Sequence, residues 1–124
     1  MHFTQREQRA LREAGLSTDE IESASEAVVE LTDEAATDLK SFFADRETVY
    51  SDMDLAHSSS DVQEHTVDSL DLFTHADDIR GYLRFGSWGV PVEGGRVLSE
   101  DAVELTLGPT VDARVRFAAD REAL

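Results

Sequence analysis

The stretch 61-DVQEHTVDSLDLFTHA-76 decides the fold, because it can be written as a helix or as a strand. Asp61 followed by Glu64 has the spacing of a helix cap. Wound as a helix, Val62, Thr66, Ser69, Leu70, Leu72, Phe73 and Ala76 fall on one side and only Val67 is misplaced. Extended as a strand, the period of two sends Val67 and Phe73 to one face and Leu70 and Leu72 to the other. The helix is the better fit, so an extra helix is expected over about 61–76.

Upstream, residues 1–46 read as helices. Thr4 with Glu7 has capping-box spacing, and Gly15 is suited to the left-handed position that ends a helix. Ser17 with Glu20 repeats the signal. A long second helix then carries Ile21, Ala24, Val28, Leu31, Ala35, Leu39 and Phe42 as one apolar stripe. Thr32 with Ala35 offers a second start, which would break that helix near Leu31. Between the helical part and the opening stretch, Thr48 to Leu55 alternates as a strand, with Val49, Met53 and Leu55 on one side.

Downstream, residues 79–118 read as antiparallel strands. Ile79, Gly81, Leu83 and Phe85 alternate with Arg80, Tyr82 and Arg84. Val90–Glu93, Gly94-Gly95 and Arg96–Leu98 suggest a tight hairpin, and Pro91 places its strand at an edge. Val103, Leu105 and Leu107 should face the same way as Ala113, Val115 and Phe117. Matching them pairs Val103 with Phe117 and sets Glu104 opposite Arg116. The fold class is therefore α+β, one domain over 1–124: a helical hairpin (1–46), an acidic strand–helix part (47–78) and a mostly antiparallel sheet (79–118).

Charge carries the composition argument. The chain has 27 acidic and 11 basic residues, a net charge of −16, and Lys40 is its only lysine. Residues 47–79 hold nine acids and no Lys or Arg. Self-repulsion at this charge destabilises a compact chain in dilute salt, whereas molar salt shortens the screening length to about 3 Å. Acid excess with near-absent lysine resembles cytoplasmic proteins of haloarchaea. The whole chain resembles the small protein families of unknown function restricted to those organisms, a resemblance that implies a cytoplasmic location and attaches no activity or functional residue to the chain. There are no cysteines, so neither a disulfide nor a thiolate site can form. No apolar run reaches the roughly 18 residues that span a bilayer, the N-terminus is charged where a signal peptide would be apolar, and no membrane contact is expected.

Few motifs suggest chemistry. Residues 51–65, SDMDLAHSSSDVQEH, hold four carboxylates, close to the chain average. Three of the four histidines, His57, His65 and His75, fall within nineteen residues. On a helix, Glu64, Asp68, Asp71 and His75 would share a face and could ligate a divalent ion; a solvated acidic face explains the same residues. Ser58–Ser60 lack the glycines of a nucleophile elbow, and no phosphate-loop motif occurs, so no cofactor is implied. The segment around Gly15 loosely resembles a helix-turn-helix, but Asp19, Glu20, Glu22 and Glu26 would repel phosphates, which makes nucleic acid an unfavoured partner. The row Glu22, Glu26, Glu30 and Glu34 reads as a solvated helix face rather than a docking one.

The unusual surface is cationic. Arg80, Tyr82 and Arg84 should project together, with Arg114 and Arg116 from the last strand and Trp88 in the nearby turn. Arg and aromatic residues are favoured at interface hot spots; the same residues could instead pair within the domain or hold an anion. The leading expectation is a non-catalytic interaction protein, with a homodimer or another protein as partner. The alternatives are metal or small-ligand binding through 52–75, enzymatic or not, and nucleic-acid or anion binding through the Arg/Tyr face.

Overall fold

Both helices start at the caps written in the sequence. The computed structural model describes residues 2–53, 61–108 and 113–124. Helix α1 spans Gln5–Glu13; Thr4 Oγ1 accepts from Glu7 N–H and the Glu7 carboxylate accepts from Thr4 N–H. Gly15 follows with φ of +104°, a conformation costly for any residue with a Cβ. Helix α2 spans Thr18–Ala44 and repeats the reciprocal cap with Ser17 and Glu20. It runs unbroken through Thr32, which uses its hydroxyl to bond the Val28 carbonyl within the helix.

The stripe on α2 drifts from the one expected. Three turns of 3.6 residues from Ile21 end nearer 32 than 31. Thr32 is accordingly half-buried and Leu31 lies 64% exposed. The helix seats its C-terminal half most deeply, through Ala36, Leu39, Phe42 and Phe43. Burying a side chain such as Leu39 or Phe43 contributes about 1.5–3 kcal/mol.

Those residues pack on a seven-stranded antiparallel sheet: β1 Thr48–Ser51, β2 Gln63–His75, β3 Asp78–Phe85, β4 Gly89–Val92, β5 Gly94–Ser99, β6 Ala102–Thr106 and β7 Arg114–Ala118. The order is β4-β3-β2-β1-β7-β6-β5. Val49, Leu70, Ile79, Leu83, Phe85, Val92, Val103, Leu105, Val115 and Phe117 form the sheet's side of the core. The pairing across β6 and β7 is the expected one, Val103 with Phe117 and Glu104 with Arg116.

Two further expectations are corrected. The extra helix over 61–76 is absent: Gln63–His75 is the longest strand. A β-bulge between Val67 and Ser69 resolves the conflict that favoured a helix. One extra residue switches which parity faces inward. Before the bulge Gln63, His65 and Val67 face the core; after it Leu70, Leu72 and Thr74 do, leaving Phe73 66% exposed. The sheet therefore extends into the acidic middle part as well as 79–118.

The second correction concerns Gly94-Gly95. They open β5 rather than turn a hairpin, and β4 and β5 pair with β3 and β6, not with each other. One residue, Glu93, joins strands at opposite ends of the order, and its N–H donates to the Thr106 carbonyl at 2.7 Å. Because consecutive Cα atoms are about 3.8 Å apart, the two ends of the sheet must meet there. The sheet is therefore curled, with β4 an edge strand that carries an exposed Pro91. Gly95 lies under Leu39: a Cβ there would come within 2.9 Å of that side chain.

Candidate functional site

Strand β3 presents Arg80, Tyr82 and Arg84 outward while Ile79, Leu83 and Phe85 are buried, as the alternation dictates. β2 lies beside it in a register that sets Phe73 opposite Arg80, Asp71 opposite Tyr82 and Ser69 opposite Arg84. The arginines differ in occupation. Arg80 is engaged within the domain: its guanidinium bonds the Glu93 carbonyl, reaches the Glu93 carboxylate at 3.2 Å and lies 4.0 Å from Asp78. Arg84 lies over the Tyr82 ring, 5.3 Å from its centroid, and makes no ion pair among the described residues. Phe73 at 66% and Tyr82 at 37% exposure complete an aromatic and cationic surface.

Trp88 does not join it. The Trp88 ring folds toward the core and stacks on Phe85, centroids 4.4 Å apart, although 45% of the residue remains exposed. Arg114 and Arg116 also project outward, but β2 and β1 separate their strand from β3. They share a second patch with Arg96. Glu104 faces both neighbours in the sheet and pairs with Arg96, Nε to Oε1 3.0 Å, rather than with Arg116. A shallow groove of about 210 Å3 is lined by Gly95, Arg96, Glu104, Thr106 and Arg114.

The candidate metal set is drawn out along β2. Glu64, Asp68, Asp71 and His75 are all exposed, and at about 3.3 Å per residue the first and last lie about 36 Å apart. Their shared helical face does not exist, and no group of three or more His, Asp or Glu side chains converges on a metal position among the described residues. Of the clustered histidines, His65 faces inward and His75 outward; His57 and the serines 58–60 lie outside the described residues. His2 sits in an acidic groove of about 440 Å3 with Glu22, Ser25, Glu26, Val29 and Glu30. Its backbone N–H donates to Ser25 Oγ at 2.6 Å and its Nδ1 lies 3.8 Å from Asp77, which ties the N-terminus to the β2–β3 turn.

A family model matches residues 1–122, from ahead of α1 to beyond β7, and its description is a family of unknown function, DUF7532. The chain belongs to DUF7532. No curated protein and no solved structure matches it.

In this DUF7532 chain, the polar pair buried in the core was not legible in the sequence. Ser51 is fully buried and His65 is 7% exposed, and Ser51 Oγ lies 2.6 Å from His65 Nε2. Met53 N–H donates to the same hydroxyl at 3.3 Å. The imidazole lies against Phe85 and Phe117, centroids 5.0 and 5.9 Å away, and burial pushes its pKa down from the ordinary value. A serine beside a neutral histidine is the beginning of a nucleophile–base pair, but a fully buried Ser51 presents no surface to a substrate. The pair instead satisfies two polar groups in the core. The structure adds Phe73 and Arg96 to the exposed surface: helical periodicity puts Phe73 on the apolar side of a helix that is not there, and the Gly94-Gly95 turn puts Arg96 on the return strand of a hairpin that does not form.

Proposed function

We propose that this protein is a non-catalytic interaction protein that docks a protein partner on the outer face of β2 and β3, in the cytoplasm of a salt-accumulating cell. One observation carries the docking reading: Phe73 and Tyr82 stand exposed beside Arg84, and Arg84 has no carboxylate partner among the described residues. Exposed aromatic residues next to an uncommitted arginine have the composition of an interface hot spot. The cellular setting rests on the net charge of −16, the single lysine and the absence of cysteine. No described helix is long and apolar enough to cross a membrane.

The test compares wild type with Phe73→Ala and Arg84→Glu in molar KCl. Arg84 forms no ion pair among the described residues, and exposed pairs are in any case worth about 0–1 kcal/mol. The thermal midpoint of Arg84→Glu should therefore stay within a few degrees of wild type, the lost contact with the Tyr82 ring included, while association is abolished by the repulsive charge. A variant that melts many degrees lower, with a wild type that associates with nothing, would show that the arginine is internal structure and would end this reading.

A further inference from the structure

Arg84 is not alone in lacking a charged partner among the described residues. Asp68, the extra residue of the bulge, and Asp71 are exposed on the same outer face and make no ion pair among the described residues. The face thus carries an acidic row on β2 directly beside an aromatic and cationic row on β3. Arg84 lies in register with Ser69, next to Asp68, yet its guanidinium turns over Tyr82 instead. Uncommitted charges of both signs, one strand apart, are self-complementary under a two-fold axis. An axis running along the strands between β2 and β3 sets β2 of one copy against β3 of the other at the same level. It brings Arg84 to the second copy's Asp68, Asp71 to its Tyr82, and Phe73 to its Arg80.

We propose that the occupant of this face is a second copy of the chain, packed in a symmetric dimer through reciprocal Arg84–Asp68 pairs around Phe73 and Tyr82. The inference rests on the docking reading above and narrows it to one partner. Charge supports the choice. A chain with a net charge of −16 repels its own copies at most orientations. The β2–β3 face lets each copy bring arginines to the other's carboxylates. A two-fold contact also makes each such pair twice. Pairs covered by the interface are screened much less by salt than exposed ones, so the contact persists where the general repulsion is suppressed.

The experiment measures molecular mass by light scattering in molar KCl across a concentration series. The variants are Arg84→Glu, Asp68→Arg and the double exchange. Wild type is expected to reach twice 13.7 kDa. Each single exchange opposes like charges and should weaken self-association about tenfold or more. The double exchange should restore it, because the pair is reversed rather than lost. Wild type that stays at 13.7 kDa throughout overturns the inference. So does a dimer indifferent to both single exchanges, or a double exchange that fails to recover. Affinity retention from a lysate separates this failure from that of the docking reading. A monomeric wild type that retains a protein lost by Arg84→Glu overturns the second copy and keeps the docking face; one that retains nothing removes both.

Discussion

His65 meets Ser51 Oγ at 2.6 Å inside a wall of Phe85 and Phe117, and burial holds its imidazole below the ordinary histidine value. The consequence for stability has a definite sign. As pH falls through about 6.5 the unfolded chain takes up a proton at this residue, while the folded chain does so only lower down. The contribution of neutral His65 is therefore complete above about pH 6.5 and is lost as pH falls toward the depressed folded value. Between about pH 8 and pH 5.5 in molar KCl, the wild-type thermal midpoint should fall by more than that of His65→Gln; equal slopes would remove the argument. Ser51→Ala leaves a buried imidazole nitrogen without its partner and should cost about 1–3 kcal/mol in urea unfolding. A near-neutral result would mean that the nitrogen finds another partner in the fold.

At the scale of an element, β2 shows how one inserted residue sets the identity of a strand. Its bulge at Asp68 lets Val67 and Leu70 face the same core although they lie three residues apart. The hairpin with β3 also depends on close backbone approach. A Cβ on Gly81 would come within 1.9 Å of the Asp71 carbonyl oxygen, and a backbone atom in a paired strand cannot swing away. Gly81→Ala should therefore destabilise the protein by about 1–3 kcal/mol, as overpacking does. Gly86→Ala is the internal control, since nothing lies within 4 Å of a Cβ there. Equal denaturation midpoints for the two variants would show that the β2–β3 pairing is looser than this geometry.

For the whole molecule, net charge dominates. Glu22, Glu26, Glu30 and Glu34 are all exposed along α2, like charges four residues apart that oppose the helix in dilute salt. Four salt bridges are formed among the described residues, and one of them depends on protonation of His2. They cannot offset a net charge of −16. The thermal midpoint followed by circular dichroism should rise clearly from low to molar KCl. An equal or lower midpoint in molar salt would contradict the salt-adapted reading of the composition.

The sequence by itself determined what local chemistry determines. Both capping boxes, the left-handed Gly15 and the inward residues of β3 and β6–β7 are set by neighbours three or four positions apart, or by strict alternation across a strand. The register of Val103 with Phe117 was legible because both strands bury one face. Only the tertiary structure decided the rest. Whether 61–76 winds or extends depends on the bulge, which is worthwhile only because β1 and β3 flank the strand. Gly94-Gly95 suits a turn in isolation; here Glu93 bonds β6 and Leu39 packs over Gly95, so the chain continues straight on. The candidate site followed the same division. Period two placed Arg80, Tyr82 and Arg84 on one face, but that face gained Phe73 and Asp68 and lost Trp88 through contacts between strands, where spacing along the chain carries no information about which side chains meet.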